Sequence, residues 1–533
     1  MEFKWWQTGV VYQIYPRSFK DGNGDGIGDL LGIIEKLDHL VALGVDAIWI
    51  SPIYPSPMAD FGYDVANYTD IHPMFGDLAT FDRLLEAAHS RGLRVILDWV
   101  PNHTSDQHPW FLESQSSRDN ARADWYIWRD PAPDGGPPNN WGSIFGGPSW
   151  TWNETRQQYY LHLFLRQQPD LNWRNPDVRA AMHNVLRFWL DRGVDGFRMD
   201  VIDRIVKDAD LRDNPWLPDG DPTSDNLFAQ QEHAYDLYQP DIIDEIRQIR
   251  AVFDSYDGDR VTIGEVWAEP RSRWVTFYGP DLDGLHLPFN FFLLVQPWDA
   301  QAMRASVDEL EAALPAGAWP NYVLGNHDRP RLATRYGPEV VRTAAMLLLT
   351  LRGTPTLYMG DELGMADGHV PPDRMQDPPG LRLGPEYSRD GCRTPFQWSG
   401  APFAGFSTVE PWLPVAASYP TLNAATEEDD PASVLALYRR LLSYRRATPA
   451  LHGGSYSPVD GMPADCYVYV RANGSQRRLI ALNFGGEART LDLGTVAGQG
   501  RVIISTALDR DETVDLGQIS LRPHEGVIIE LPE

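Results

Sequence analysis

Short apolar runs rich in β-branched residues alternate with amphipathic helical stretches through most of this chain of 533 residues. The alternation persists for about eight rounds, as a parallel sheet joined by crossover helices requires. It predicts an α/β fold, the (β/α)8 TIM barrel. The predicted strands lie at 11–15, 47–51, 94–100, 194–201, 261–266, 285–291, 322–326 and 356–359.

Apolar side chains recur at helical spacing between these strands, which predicts helices whose apolar faces pack on the barrel. One stripe consists of Leu30, Ile33, Ile34, Leu37, Leu40 and Val41, and a second of Val178, Ala181, Met182, Val185, Phe188 and Trp189. A third stripe follows Ser433 and ends before Pro449, and it predicts the last helix of the barrel.

The segment 105–173 interrupts the alternation after the third strand. It is rich in Trp, Pro, Gly and Asn and shows little periodicity, and a structureless loop of that length is improbable in a compact protein. We therefore predict a small inserted domain that lies over the carboxyl ends of the barrel strands. The barrel then comprises residues 1–104 and 174–450.

Beyond residue 450 the pattern changes to short strands separated by turns that contain Gly, Asp and Asn. The runs at 466–470, 478–483, 502–504 and 526–531 are typical of antiparallel strands. We predict that residues 451–533 form a C-terminal antiparallel β-sandwich, to which no catalytic residue is assigned.

The net charge of the chain disfavours some classes of binding partner. With 46 Lys and Arg residues against 74 Asp and Glu residues the formal charge is -28, which disfavours nucleic acid and anionic membranes and favours a neutral substrate. No secretory signal or membrane-spanning run is evident, and Cys392 and Cys466 are too few for a disulfide framework. We expect a cytoplasmic protein, whose oligomeric state the sequence leaves open.

Polar side chains stand at the ends of four of the predicted barrel strands. They are Asp98 with Asn102 and His103, Arg198 with Asp200, Glu265, and Asn326 with His327 and Asp328. The carboxyl ends of the strands share one rim of a barrel, and catalytic residues gather there. Four such clusters on one rim predict an active site rather than isolated structural ion pairs.

Residues two apart on a strand share a face, so Arg198 and Asp200 point to the barrel centre while Phe197 and Met199 face the helices. We expect the guanidinium group of Arg198 to lower the pKa of Asp200 and keep its carboxylate ionised. A positioned, ionised carboxylate is suited to act as a nucleophile.

Glu265 shares a face with Val261 and Ile263 and is flanked by Val266 and Trp267. We expect this less polar setting to favour the protonated form, which acts as a general acid. An acid paired with a nucleophilic carboxylate is the glycosidase pattern, and a separation of about 5 to 5.5 Å between the two groups would specify retention of configuration.

Five motifs together carry a resemblance that covers nearly the whole chain. They are DWVPNH at 98–103, QPDLNW at 168–173, GFRMD at 196–200, GEVW at 264–267 and GNHD at 325–328. With these motifs the chain resembles the α-amylase superfamily, in particular its α-glucosidase and oligo-1,6-glucosidase branch. The resemblance implies a retaining glycoside hydrolase.

The resemblance also implies roles for single residues. It implies that Asp200 is the nucleophile, Glu265 the acid and base, and Asp328 a third carboxylate that binds and distorts the sugar. The residues that would bind hydroxyl groups of that sugar are Tyr63, His103, Arg198 and His327. Hydrogen bonds that tighten as the sugar ring flattens would stabilise the transition state more than the substrate.

Further matches concern specificity. Asp60 and Arg393 match positions that form an ion pair closing the pocket in this branch, which implies release of one terminal glucose at a time. Val201 implies some α-1,6 activity, but Asp203 departs from the Asn common in oligo-1,6-glucosidases. We therefore expect a polyspecific α-glucosidase for isomaltose, maltose and further short α-glucosides such as sucrose or trehalose. Because the predicted inserted domain overhangs the mouth, we expect Phe145 and Phe164 near the acceptor.

The loop at 21–29 has oxygen-bearing side chains at alternate positions, as in the first part of an EF-hand, but it lacks the terminal Glu of that motif. It resembles a cation loop of the α-glucosidase branch, which implies a structural Ca²⁺ or Mg²⁺. The implied ligands are the side chains of Asp21, Asn23, Asp25 and Asp29 and the carbonyl oxygen of Ile27. No cofactor is expected for the chemistry itself.

Two other readings stay open. A glucosyl-transferring relative, of the trehalose synthase or sucrose isomerase type, would share the whole catalytic set. A non-enzymatic subunit like the heavy chains of amino-acid transporters would keep the barrel without the chemistry, but all three carboxylates are intact here and no membrane anchor is evident.

Overall fold

The computed structural model of the protein describes residues 3–532. In chain order the strands are β1 (Val11–Ile14), β2 (Ala47–Ile50), β3 (Arg94–Trp99), β4 (Trp128–Arg129), β5 (Trp150–Asn153), β6 (Gln158–Leu161), β7 (Gly196–Met199), β8 (Val261–Glu265), β9 (Leu287–Phe289), β10 (Asn321–Val323), β11 (Thr354–Tyr358), β12 (Ser455–Pro458), β13 (Cys466–Asn473), β14 (Gln476–Asn483), β15 (Arg489–Leu491), β16 (Gln499–Ser505), β17 (Thr513–Asp515), β18 (Ile519–Leu521) and β19 (Gly526–Glu530).

The α-helices in chain order are α1 (Trp5–Thr8), α2 (Pro16–Phe19), α3 (Leu30–Leu43), α4 (Leu78–Ser90), α5 (Pro109–Ser114), α6 (Pro176–Arg192), α7 (Ile242–Asp254), α8 (Arg271–Trp274), α9 (Ala300–Ala313), α10 (Leu332–Tyr336), α11 (Val341–Thr350), α12 (Pro378–Leu383), α13 (Ala424–Glu428), α14 (Val434–Ala447) and α15 (Pro449–His452). Within residues 3–532, none of the helices is both long and apolar enough to cross a membrane.

Eight parallel strands form the barrel, in the order β10, β11, β1, β2, β3, β7, β8, β9. Each of them overlaps a strand that the sequence predicts, so the predicted (β/α)8 barrel is confirmed. At the seam between β9 and β10, Pro288 has no N–H to donate to a ladder. The side chain of Asn321 bridges the seam instead: it donates to the Pro288 carbonyl oxygen and accepts from the backbone N–H of Asn290 at 2.8 Å.

The helices form where capping residues meet the predicted apolar stripes. The Asp29 side chain accepts from the backbone N–H of Gly32 at the start of α3, and Gly44 with a φ of 98° ends that helix. The Asn175 side chain caps the start of α6 in the same way. The predicted stripes are buried or, at Ile34, Ala181 and Phe188, partly buried, except at Val41, which is 41% exposed. That expectation was wrong because the buried face of α3 ends at Leu40 and Leu43.

Two long connections lie over the carboxyl ends of the barrel strands. The predicted insertion after β3 contains the antiparallel three-stranded sheet β4–β6–β5. The connection between β7 and α7, which the sequence analysis did not single out, contains only short 3-10 turns at Ile202–Arg204 and Phe228–Gln230. It is tied to the insertion by hydrogen bonds such as that from the Trp141 indole to the Arg212 carbonyl oxygen, 2.8 Å.

The C-terminal region confirms the predicted antiparallel unit. A six-stranded sheet in the order β12, β13, β14, β19, β16, β17 carries a two-stranded sheet of β15 and β18. Side chains of the larger sheet alternate between two cores, as strand geometry requires. Tyr467 and Tyr469 pack into the main core with the barrel, whereas Val468 packs against Leu491 and Ile519 of the smaller sheet.

Candidate active site

A cavity of about 410 Å³ opens at the carboxyl ends of the barrel strands. It is lined by Asp60, Tyr63, His103, Ile144, Phe145, Phe164, Asp200, Val201, Arg204, Phe228, His233, Leu237, Tyr238, Glu265, Trp267, His327, Asp328, Arg329 and Arg389. Ten of the twelve residues predicted for catalysis or sugar binding line it. The other two, Arg198 and Arg393, are buried and contact carboxylates of the cavity from behind.

Arg198 connects three carboxyl groups at the floor of the cavity. Its Nη1 donates to Asp98 Oδ1 at 2.9 Å and to Asp200 Oδ1 at 2.6 Å, and its Nη2 donates to Glu265 Oε2. Its side chain is only 1% exposed. The predicted orientation of Arg198, Asp200 and Glu265 toward the barrel centre is therefore what the structure shows.

The protonation expected for Asp200 differs from what its surroundings favour. Burial raises the pKa of Asp200 well above its usual range, and the carboxylates of Glu265 and Asp98 add to this effect, although Arg198 opposes it. Burial also raises the pKa of Asp98 to about 6. The expectation of a lowered pKa for Asp200 was wrong, because burial outweighs the effect of a guanidinium group that serves three carboxyl groups.

Glu265 lies among hydrogen-bond donors rather than in the less polar setting that the sequence suggested. Its Oε2 accepts from Arg198 and from the backbone N–H of Val201 at 3.3 Å, and its Oε1 accepts from the Trp267 indole at 2.8 Å. The flanking Trp267 was expected to provide apolar surface, but its indole N–H faces the carboxyl group. These contacts fix the orientation of the Glu265 side chain.

Asp328 is held by two arginine residues. Its Oδ1 accepts from Arg389 Nη1 at 3.1 Å and from Arg393 Nη2 at 3.0 Å, and His327 Nε2 lies 3.4 Å from its Oδ2. Burial lowers the pKa of His327 to about 3, so that ring is neutral. Burial alone would raise the pKa of Asp328, but the neighbouring His327 side chain and the guanidinium groups of Arg389 and Arg393 hold that pKa well below its usual range. Asp328 is therefore an anion in the free site.

The predicted ion pair between Asp60 and Arg393 does not form. Asp60 Oδ1 instead accepts from Arg389 Nη2 at 3.0 Å, and Asp60 Oδ2 accepts from Gln168 Nε2 at 3.1 Å. The 3-10 turn Asp390–Arg393 directs Arg393 to the His327 carbonyl oxygen, 2.8 Å, and to Asp328. Arg389, one residue before that turn, takes the expected place beside Asp60. The sequence did contain a signal for this role, because residues 389–393 include two arginine residues.

Asp377 completes this side of the cavity and was also missed. It accepts from Arg389 Nη2 at 2.8 Å, so that Arg389 contacts three carboxylates. Asp377 is fully buried. Because Asp377 is buried and binds Arg389, it leaves the guanidinium group of Arg389 little freedom to move.

Tyr63, His103 and His327, which are predicted to bind sugar hydroxyl groups, form one hydrogen-bonded chain. Gln13 Nε2 donates to His327 Nδ1 at 2.7 Å, His327 Nε2 donates to Tyr63 Oη at 2.7 Å, and Tyr63 Oη donates to Asp98 Oδ2 at 3.1 Å. His103 Nε2 donates to the Tyr63 carbonyl oxygen at 3.2 Å. Burial lowers the pKa of His103 to about 3. Both imidazoles are thus neutral, as suits contacts with an uncharged sugar.

The remainder of the cavity wall is largely apolar. Phe145 and Phe164 meet edge to face with ring centroids 5.7 Å apart, and Phe228, Tyr238 and Trp267 add further aromatic surface. Phe228 and Tyr238 come from the connection after β7, whose Pro, Asp and Gly content at 208–222 was a signal for a second long loop.

Val201 directly follows Asp200 and has a φ of 37°. Positive φ is strained for a β-branched residue, and such strain is typical of functional sites. This backbone conformation directs the Val201 N–H to Glu265. Val201 therefore contributes both a side chain in the cavity wall and a donor to the predicted acid.

The loop at 21–29 has only oxygen donors, which suit Ca²⁺ or Mg²⁺. Its carboxylates hold the loop itself: Asp21 Oδ2 accepts from the Gly26 N–H at 2.9 Å, and Asp29 Oδ1 accepts from the Gly32 N–H at 2.7 Å. In the described residues, buried Asp29 Oδ2 has no hydrogen-bond partner. Residues 3–532 contain no group of three or more His, Cys, Asp or Glu side chains placed to hold a metal. A cation would thus have to share carboxylates that already bind the backbone.

Comparison with known proteins gives the family. Residues 13–454 match the catalytic domain of α-amylase. A probable α-glucosidase of Rhizobium meliloti (strain 1021) is 46% identical over 503 residues, 92% of this chain and 91% of the relative. An oligo-1,6-glucosidase of Parageobacillus thermoglucosidasius is 37% identical over 569 residues, the full length of both chains.

A solved structure agrees with these relatives. The α-glucosyl transfer enzyme XgtA is 44% identical and has a TM-score of 0.93, with 99% of this chain and 100% of that chain covered. The resemblance found in the sequence motifs is confirmed by all three comparisons. The barrel, the carboxylates at its rim and these similarities lead to one conclusion: the chain belongs to the α-amylase family of catalytic domains.

Proposed function

We propose that the protein is an exo-acting, retaining α-glucosidase that releases terminal glucose from short α-glucosides. The observation that carries this proposal is the arrangement of Asp200 and Glu265 on the two terminal nitrogens of one guanidinium group, at the floor of a cavity large enough for a small sugar. The names of the relatives, α-glucosidase and oligo-1,6-glucosidase, support the substrate class.

In the proposed reaction Asp200 attacks the anomeric carbon as the bond from that carbon to the leaving oxygen breaks. Glu265 gives its proton to the leaving oxygen, and a covalent β-glucosyl ester forms on Asp200. Water then attacks the same carbon, Glu265 takes the water's proton, and the ester bond breaks. Each step inverts the anomeric carbon, so the released glucose keeps the α configuration.

The other residues stabilise charge or position the sugar. As the ring approaches an oxocarbenium ion, the anion of Asp328 and the carboxylates around Arg198 face the developing positive charge. The neutral rings of Tyr63, His103 and His327 bind hydroxyl groups.

Chemical rescue tests the two assignments separately. With an activated aryl glucoside, Asp200→Gly should be rescued by azide and yield the β-glucosyl azide, because azide then attacks the substrate directly. Glu265→Ala should yield the α-glucosyl azide, because azide attacks the covalent ester. In the wild type, proton NMR of maltose hydrolysis should show α-glucose first. Initial β-glucose would contradict the retaining mechanism.

We propose release of one terminal glucose at a time because one side of the cavity is closed. Asp60, Asp328 and Asp377 are joined there by Arg389, which limits the space beyond the first sugar. We expect maltoheptaose to release glucose from the outset, in a chromatographic time course. Mid-sized fragments as the first products would contradict this.

Linkage preference is proposed to be broad. Val201 lines the cavity, and we expect its branched side chain to shape the acceptor side. In similar enzymes a smaller or hydroxylated residue at this position accompanies α-1,4 activity. Relative kcat/KM values for isomaltose, maltose, sucrose and trehalose measure the preference. A Val201→Thr variant with an unchanged ratio of isomaltose to maltose activity would exclude this residue as its determinant.

Glucosyl transfer is the second candidate activity, favoured by the apolar acceptor wall of Phe145, Phe164 and Phe228 and by the likeness to an α-glucosyl transfer enzyme. Water and an acceptor alcohol compete for the same ester, and an apolar wall favours the alcohol. Product analysis at high maltose or sucrose concentration distinguishes transfer or isomerisation from hydrolysis.

Two further proposals concern the setting of the enzyme. We place a structural Ca²⁺ or Mg²⁺ in the loop at 21–29, with no part in the reaction. We also propose a cytoplasmic location, in keeping with the two free, buried thiols of Cys392 and Cys466.

A further inference from the structure

Asp203 lies in the 3-10 turn Ile202–Arg204, just beyond the end of β7. Its side chain is fully buried, although no step of the proposed reaction uses it. A buried carboxyl group requires hydrogen-bond donors to offset its lost hydration, so the donors that it meets indicate its role.

One of these donors connects Asp203 to the predicted acid. Asp203 Oδ2 accepts from the backbone N–H of Trp267 at 2.7 Å. The indole Nε1 of the same Trp267 donates to Glu265 Oε1 at 2.8 Å. Trp267 is therefore fixed at its main chain by one carboxyl group while its side chain holds another.

The turn that carries Asp203 supplies a second contact to Glu265. The backbone N–H of Val201, at the N-terminal edge of this turn, donates to Glu265 Oε2 at 3.3 Å from a conformation with positive φ. Asp203 thus stabilises the turn at its far side, through Arg204 Nε at 3.2 Å and Trp267. Two of the donors around Glu265 depend on the placement of this turn.

We infer that Asp203 is a positioning residue for proton transfer: it fixes Trp267 and the turn so that Glu265 faces the leaving oxygen, and it places a carboxylate close to Glu265. The inference rests on the proposed function, in which Glu265 is the acid and base. Asp203 itself does not touch the substrate, because it does not line the cavity.

The charges around both groups agree with this role. Arg198, Asp200 and Asp98 face Glu265 from the barrel, and Asp203 and Arg204 face it from the turn. Tyr238 faces Asp203 from the connection before α7. Burial raises the pKa of Asp203 to about 6, with Arg204 opposing the rise, so Asp203 is largely ionised at pH 7 and above.

Substrates with different leaving groups test the inference. Fluoride leaves α-glucosyl fluoride with little need of a proton, whereas the sugar leaving group of maltose requires one. Asp203→Asn keeps the shape and an oxygen for the Trp267 N–H but removes the charge, and Asp203→Ala removes both. We expect Asp203→Ala to lower kcat/KM on maltose about tenfold or more, and to change it less than about twofold on α-glucosyl fluoride.

The pH profile separates the charge from the contact. We expect Asp203→Asn to move the basic limb of the kcat/KM profile on maltose to lower pH, because a negative charge beside Glu265 is lost. Asp361→Asn is the matched control. Burial raises the pKa of Asp361 to about 6 as well, and its carboxyl group accepts from the backbone N–H of Tyr358 at 2.9 Å, outside the cavity. We expect this control to leave both readouts unchanged.

Equal losses on maltose and on the fluoride would overturn the inference, since they would indicate a merely structural role for Asp203. An unshifted pH profile in Asp203→Asn would overturn its electrostatic part. If the wild-type protein turned over neither substrate, the proposed function itself would fail, which is a different outcome from a failure of the inference.

Discussion

Arg389 donates to carboxylates from three separate parts of the chain, Asp60, Asp328 and Asp377. Its planar, fixed fork of donors suits several simultaneous carboxylate contacts, which a lysine ammonium group on a flexible stem does not reproduce. Its guanidinium group also lies 5.4 Å from the ring centre of Phe145 in the insertion. Arg389 therefore connects the donor side of the cavity with the acceptor wall.

Replacing Arg389 by lysine should weaken sugar binding and transition-state stabilisation together. We expect Arg389→Lys to lower kcat/KM on maltose about tenfold to a hundredfold, because charge-assisted hydrogen bonds to Asp60 and Asp328 are lost. Steady-state kinetics with maltose measures the effect. Arg382→Lys, at an exposed arginine of α12, is the control and should behave as the wild type. Wild-type kinetics in Arg389→Lys would remove this residue from the site.

The residues at strand ends could be predicted from the sequence because period-two alternation and strand termini determine where they point. Asp200 and Glu265 were placed in this way. Arg389 could not be, since it reaches the cavity from an irregular segment that has no periodicity to orient a side chain. The raised pKa of Asp200 also escaped prediction, because it depends on how deeply the group is buried and on how many carboxyl groups share Arg198.

At the scale of elements, the loop at 21–29 lies between β1 and α3 and is also joined to a distant segment. The Asp21 carboxylate accepts from Ser407 Oγ at 2.6 Å, and the Trp412 N–H donates to the Gly26 carbonyl oxygen at 3.0 Å. Any ion held in this loop would stabilise contacts between two ends of the barrel sequence. Its removal should therefore affect the stability of the whole barrel.

A bound cation predicts a melting temperature that depends on metal. A ligand at a hundred times its dissociation constant stabilises the folded state by about 2.7 kcal/mol. We expect a chelator to lower Tm by several degrees in differential scanning calorimetry, and added Ca²⁺ or Mg²⁺ to restore it. In Asp29→Asn the metal dependence should disappear. Equal Tm values with chelator and with metal would refute the cation site.

Barrel strands and helices were predictable as elements, whereas long connections were not. All eight strands were found because each is an apolar run bounded by polar or turn residues. The connection between β7 and α7 has no regular hydrophobic pattern, and it is ordered by contacts with the insertion such as that between Trp141 and Arg212. Such contacts join segments remote in sequence, so local propensity does not indicate them.

The whole molecule carries a formal charge of -28, which affects its stability as well as its partners. Repulsion among like charges disfavours the compact state, while most exposed ion pairs contribute little. We expect 0.5 M NaCl to raise Tm by a few degrees relative to low salt, because salt at this concentration screens the repulsion among the excess carboxylates. A fall in Tm would indicate that ion pairs outweigh the net charge.

The C-terminal sheet, although separate from the barrel in the sequence, packs against it. Tyr469 of β13 packs into the main core, and its hydroxyl group lies within hydrogen-bonding distance, 2.5 Å, of Thr350 at the end of α11. Arg471 of the same strand donates to the Thr350 carbonyl oxygen. The sheet therefore covers apolar surface of the barrel helices that would otherwise face water.

Arg198 has one more consequence for the molecule. Because Asp98, Asp200 and Glu265 all bind this single guanidinium group, none of the four side chains can be exchanged without altering the charge that the remaining three experience. Effects of substitutions within such a set are not additive. The four positions thus constrain one another in evolution, because the effect of replacing one of them depends on which residues occupy the other three.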